Sequence, residues 1–159
     1  MWTIVDSPIG PLRVVAQRGA IIAIDFDGQP PPPGRPDGDR VDADPLLVEA
    51  RRQLDAYFDK QLREFDLPLQ PSGTTFQQQV WEQLTKVPYG ETVSYGEIAG
   101  RLGMTGHGSR AVGLANGRNP IPIVIPCHRV VGADGSLTGY GGGVDRKVTL
   151  LDLETAALF

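Results

Sequence analysis

Apolar residues in this chain gather first in short β-branched runs and later recur at every third or fourth position. "WTIVD", "LRVVAQ" and "AIIAIDF" are short β-branched runs divided by "SPIGP" and "RGA", which predicts three antiparallel strands joined by tight turns. "GQPPPPGRPDGDRVDAD" then breaks all periodicity. It reads as a mobile proline-rich loop over residues 28–45, a linker rather than a ligand for proline-binding domains. Leu46, Ala50, Leu54 and Tyr57 repeat at helical spacing, flanked by Leu47 and Phe58, so residues 46–59 should form a helix that covers the sheet. Together these make a small α+β unit over residues 1–71.

Helical periods dominate residues 72–159. Thr74 and Gln77 have capping-box spacing, and Phe76, Val80, Leu84 and Val87 define one buried face until Pro88 and Gly90 end the helix. Ser94 and Glu97 repeat the box ahead of Ile98 and Leu102. After the turn "MTGHG", "SRAVGLANG" predicts a further helix with Ser109 as N-cap and Gly117 as its end. Two short helices across a glycine-containing turn outline a helix-turn-helix. Ala111, Gly113 and Ala115 leave little bulk around Arg110, so the second helix could approach a narrow groove closely. In "VDRKVTLLDLETAALF", a helix would set Glu154 on the face of Leu150, Leu151 and Leu158, and a carboxylate directed inward needs a partner. A glutamate at the helix edge, facing water, fits the same spacing.

The fold class expected is therefore α+β: an N-terminal antiparallel sheet with a covering helix, then a mostly helical domain with a winged helix-turn-helix-like motif. The 159 residues, 40% of them hydrophobic, suffice for real cores. No apolar run reaches the roughly 18–20 residues of a membrane span, and "MWTIVDSPIG" lacks the basic start and apolar stretch of a signal peptide. A cytoplasmic protein without membrane contact is expected. The net charge of −4 argues against a protein that coats nucleic acid by bulk attraction. Yet the charge is uneven: residues 1–71 carry 8 Lys and Arg against 12 Asp and Glu, whereas Ile98 to Ala133 hold four arginines and no acid. That window suits a phosphate backbone, or is simply a surface with scattered arginines.

The single cysteine, Cys127, stands in "IPIVIPCHRVVG". It cannot form an internal disulfide, and His107 and His128 add too few soft ligands for a structural zinc site. Prolines alternating with β-branched residues predict an extended, stiff approach, with Pro126 withholding a backbone donor. On an extended segment neighbouring side chains point apart, so His128 next door proves no contact. The thiol is either a small buried hydrophobe or chemistry.

The segments "TTFQQQVWEQLTKVPYGETVSYGEIA", "SRAVGLANGRNPIPIVIPCHRVVG" and "GYGGGVDRK" with "LLDLE" resemble the O6-alkylguanine-DNA alkyltransferases, which reverse DNA alkylation directly. "PCHRV", "RAVG" and "NPIPIVIP" are specific to that family, and the likeness extends loosely to "DSPIGPL" and "LDAYF". By position, the resemblance makes Cys127 the alkyl acceptor and His128 its general base, acting through water. Glu154 would orient the histidine, Asn119 brace the turn before the active-site strand, and Tyr95 assist the leaving guanine. Arg110 would fill the space left by a rotated nucleotide, on a recognition helix whose Ser109, Ala111, Gly113 and Ala115 meet DNA. Tyr140, with Val130 and Gly141, would line the base pocket.

The implied reaction is a stoichiometric, irreversible transfer from O6-alkylguanine, and from O4-alkylthymine, onto Cys127 in a base flipped out of duplex DNA through the minor groove. No cofactor or metal is implied. The expected state is a monomer that can cluster on DNA. Two other readings compete: a lesion-binding relative that recruits repair factors without transfer, which would lack the acceptor that Cys127 supplies, and a cysteine hydrolase.

Overall fold

Residues 1–106, 108–137, 140 and 142–156 are described in the structure, a computed structural model in which the chain divides into two units, Met1–Ser72 and Gly73–Phe159. In the first, β1 (Trp2–Val5), β2 (Leu12–Gln17) and β3 (Ala20–Phe26) pair antiparallel in chain order. Val5 lies opposite Leu12, and Leu12 opposite Phe26. A bulge between Val15 and Ala16 breaks the alternation, so Val14, Val15 and Ala16 are all buried. The covering helix α1 (Pro45–Phe58) starts one residue before the expected 46–59. Asp44 accepts the Leu46 and Leu47 amides, and Pro45 sits where the helix has no use for its missing donor. Leu47, Leu54 and Tyr57 are fully buried beneath it. A side chain such as Leu54 contributes on the order of 1.5–3 kcal/mol in this way.

The proline-rich loop is tied down rather than free. Arg35 donates to both oxygens of Asp25 on β3 (2.9 and 2.5 Å) and to both of Asp37 (2.5 and 2.9 Å). The Trp2 amide donates to Asp39 O and the Val41 amide to Trp2 O, which seats the loop beside β1. Prolines have little backbone freedom to lose, so a few ion pairs order a segment that has no period of its own.

The second unit opens with α2 (Thr75–Leu84), and both halves of the Thr74/Gln77 capping box are formed. The helix ends before Val87, which is nonetheless buried, carried inward by a turn whose amide donates to Leu84 O. Past Leu84 the ladder tightens to bonds three residues apart, Lys86 N to Gln83 O and Val87 N to Leu84 O, and Pro88 bars any return to helix at Val87. β4 (Val93–Ser94) pairs in parallel with β5 (Val130–Val131), a link the apolar pattern did not suggest. Ser94 caps α3 (Tyr95–Arg101) by accepting the Glu97 amide.

Helix α4 spans Gly108–Gly117, so Ser109 lies inside its first turn and is not the N-cap. Gly108 is buried where a Cβ would come within 3.0 Å of Ala99 Cβ and 2.9 Å of Met104 Cβ. That close approach to α3 lets the helix begin one residue early. Helix α5 (Val144–Ala156) buries Leu150, Lys147 and Glu154; Leu158 lies outside the described residues. No described helix is long and apolar enough to cross a membrane.

Candidate functional site

The segment before Cys127 is not extended. Ile125 N donates to Ile121 O at 2.9 Å, Val124 N to Pro122 O at 2.9 Å, and residues 127–129 form a 3-10 turn. Proline restricts φ alone, and its preferred value serves turns as well as extended chain. The fold is chosen by Asn119, which accepts the Ile121 amide (3.0 Å) and donates to Ile125 O (2.8 Å). Ile123 is held at φ 74°, strained for a β-branched residue, and is buried there.

From the same stretch of chain, Asn116 near the end of α4 donates to the carbonyl of Cys127 at 3.2 Å. The preceding carbonyl, Ala115 O, accepts the indole N–H of Trp81 on α2 at 2.9 Å. Arg110 to Asn116 spans roughly 9 Å of helix. One end of α4 is thus exposed and the other fixes the backbone of the cysteine.

Cys127 is buried, and burial raises its thiol to about 11, although a hydrogen bond from Asn119 and the charge of Lys147 pull the other way. His128 is fully buried, and its Nε2 lies 2.7 Å from Glu154 Oε2. Nδ1 makes no hydrogen bond to any described residue. Burial lowers the imidazole's proton affinity; Glu154 opposes this, while Arg129 and Lys147 add to it. The Glu154 carboxyl, 1% exposed, is pushed up by burial but brought down to about 2 by hydrogen bonds from His128 and Arg129. Tyr140 is buried beside Cys127, and burial, followed by the charge of that thiol group, holds its phenol well above the usual range.

The fold therefore brings Cys127, His128, Glu154, Asn119 and Tyr140 together. Tyr95, half-buried at the start of α3, has Lys147 Nζ 5.9 Å from its ring centre and Gly113 facing its ring edge. Val130 is fully buried, so its side chain belongs to the core rather than to an open pocket wall, and its carbonyl accepts Lys147 Nζ at 2.5 Å. Gly141 lies outside the described residues.

On α4, Ser109 and Arg110 are exposed, and Ala111 and Gly113 half-buried. Ala115 is buried and cannot face a groove; at helical period the outer stripe passes instead through Arg110 and Leu114, which is 65% exposed, with Arg118 exposed just past the helix end. Sequence reasoning assigned no part to Trp81, Asn116 or Lys147, and it counted Arg129 only among the four arginines of a window suited to a phosphate backbone, whereas Arg129 is buried. For Arg129 the signal was a cation beside the apolar pair of "CHRVVG", whereas the charged "GVDRK" gave none for Lys147. Among the described residues no three His, Cys, Asp or Glu side chains group as a metal site would need.

Comparison with known proteins matches residues 75–156 to the 6-O-methylguanine DNA methyltransferase DNA-binding domain, and residues 1–71 to the ribonuclease-like domain described for the same methyltransferase. The methylated-DNA–protein-cysteine methyltransferase of Mycobacterium leprae is 51% identical over 149 residues, 94% of this chain and 88% of the relative. That of Methanosarcina acetivorans is 48% identical over 153 residues, 96% of this chain and 97% of its own length. The crystal structure of Mycobacterium tuberculosis OGT in complex with DNA superposes with a TM-score of 0.85 at 46% identity, covering 98% of this chain and 93% of that one.

Proposed function

The chain belongs to the 6-O-methylguanine DNA methyltransferase family, and from that premise we propose that it repairs DNA by moving the alkyl group of O6-alkylguanine onto Cys127. The observation that carries the residue assignment is the buried 2.7 Å contact between Glu154 and His128, one residue after the only cysteine. A thiol raised to about 11 is almost wholly protonated at neutral pH, so transfer requires a base.

In this reading His128 carries its proton on Nε2, donated to Glu154, which leaves the Nδ1 lone pair to take the thiol proton through a bridging water. The sulfur attacks the alkyl carbon as the carbon–oxygen bond of guanine breaks. A thioether forms, and the electron pair departs with the purine. Tyr95 offsets that charge by a hydrogen bond or a proton, which the imidazolium replaces through solvent. Water does not cleave a thioether, so each molecule acts once; O4-alkylthymine is a second substrate.

The target atom is out of reach inside a duplex, so the nucleotide turns out at a cost of a few kcal/mol. Arg110, on the exposed stripe of α4, would hold the gap while the small side chains nearby let the helix approach the minor groove. The protein would act as a monomer, clustering along DNA, in the cytoplasm.

Incubation with an oligonucleotide carrying O6-methylguanine, followed by intact mass and peptide mapping, tests the proposal. One methyl group on the Cys127 peptide is expected. An unchanged mass, as a protein that only binds lesions would give, would overturn it.

A further inference from the structure

Glu154 receives far more than one histidine. Arg129 Nε donates to Oε1 at 2.9 Å and Nη2 to Oε2 at 3.0 Å, and the Gly90 amide approaches Oε1 at 3.3 Å. The third arm of the guanidinium, Nη1, donates to Val87 O at 2.8 Å, and the Tyr89 ring lies 5.7 Å from its central carbon. Arg129 is itself only 6% exposed. Such a fork fixes both oxygens of a carboxylate at once, as a lysine could not.

The charge count gives this clamp a consequence for the chemistry. A buried imidazole beside a lone carboxylate gains by protonation, because the pair then becomes neutral overall. With Arg129 present, the carboxylate is already neutralised. Protonating His128 would leave a net positive charge in a water-poor site, which burial penalises heavily.

We propose that Arg129 is a positioning residue that keeps His128 neutral, and hence able to accept the thiol proton, by occupying both oxygens of Glu154 with a fixed positive charge. The charged and titratable groups around His128 are Glu154 and Lys147 from α5, and Cys127 and Arg129 from its own turn, with Tyr140 beside the thiol. The segment at residues 87–90 contributes peptide groups and the Tyr89 ring. Lys147 also disfavours the imidazolium, and its Nζ donates to Val130 O at 2.5 Å. Burial does most to lower the proton affinity of His128, Glu154 opposes it, and the charge of Arg129 adds to the lowering.

The inference rests on Cys127 and His128 acting as acceptor and base, and the experiment separates the two. Single-turnover transfer from free O6-benzylguanine is followed by intact mass over about pH 5 to 9 for wild type, Arg129→Met and Arg129→Lys. In Arg129→Met the acid limb should move up by about one pH unit or more, so the rate near pH 6 falls roughly tenfold further than the rate near pH 9. Arg129→Lys should return the limb toward wild type without restoring the full rate, since one ammonium cannot hold both oxygens. A folded Arg129→Met with an unmoved limb and only a uniform loss, as a purely structural residue would give, overturns the proposal. Should the variants not fold, nitrogen-15 NMR of the wild-type imidazole decides: His128 neutral with its proton on Nε2 at pH 7 supports it, and an imidazolium at that pH overturns it. A wild-type protein that gains no mass would sink the acceptor assignment instead, and leaves the NMR result to judge Arg129 separately.

Discussion

Asn116 donates its side-chain amide to the backbone carbonyl of Cys127, so the helix that carries Arg110 on its outer face also holds the reactive residue in place. The bond is buried, and no water competes for it. Asn116→Ala would take away one of two donors to that carbonyl, which keeps the Val130 amide, at a cost of about 0.5–1.5 kcal/mol. We expect a lower melting temperature and a slower transfer to Cys127 from duplex and from free base alike, because the defect lies at the thiol and not at the DNA face. Thermal denaturation and intact mass on both substrates check this; full transfer rates together with unchanged stability would show that the tether is idle.

Cys127→Ser should abolish alkyl transfer while retaining affinity for alkylated duplex, since the hydroxyl is a far weaker nucleophile and the outer stripe of α4 is untouched. Gel shift and mass on the same preparation measure both. Any alkyl mass gained by the variant would require another acceptor.

Arg110→Ala removes the exposed cation proposed to fill the gap behind a rotated nucleotide. Loss of such support raises the cost of base flipping, a term of a few kcal/mol. Repair of duplex DNA should slow by about tenfold or more, the equivalent of ~1.4 kcal/mol, whereas reaction with free O6-benzylguanine should hardly change. Equal losses on both substrates would remove Arg110 from the flipping step.

Features governed by near neighbours were legible in the sequence. The strands follow from β-branched runs and the Thr74 and Ser94 caps from residues three apart, while the period of α5 offered Glu154 an inward face without deciding it. What escaped depends on partners distant along the chain or on choices a residue leaves open. The prolines around Ile121 and Ile123 permit a turn as readily as an extended strand, and only the two hydrogen bonds of Asn119 select the turn. The β4 and β5 strands are two residues each, too short to show a period. Arg129 stood in a quoted motif, but its role is set by a carboxylate 25 residues further on. Ala115 seemed a groove residue for its size, while its place in the helical period turns it inward.

Glu154→Gln tests the relay and its pH dependence together. The carboxyl is held at about 2 against an ordinary value of 4.5, so its ionised form stabilises the fold fully above pH 4.5, and this is lost as pH falls toward 2. The shift corresponds to an upper bound on the order of 3 kcal/mol. His128, whose value is also lowered, adds a loss that begins as pH drops below its ordinary 6.5, since the unfolded chain takes up that proton first. Wild-type stability should therefore decline in two stages on acidification. In Glu154→Gln the lower stage should shrink to what other lowered carboxyls such as Asp37, held by Arg35, contribute, total stability at pH 7 should fall because Arg129 is left without its counter-charge, and transfer should slow by about 10²-fold or more through loss of the oriented imidazole. Denaturant melts across pH and single-turnover mass measurements provide the check; a wild-type transfer rate in a folded Glu154→Gln would mean that His128 works without the acid.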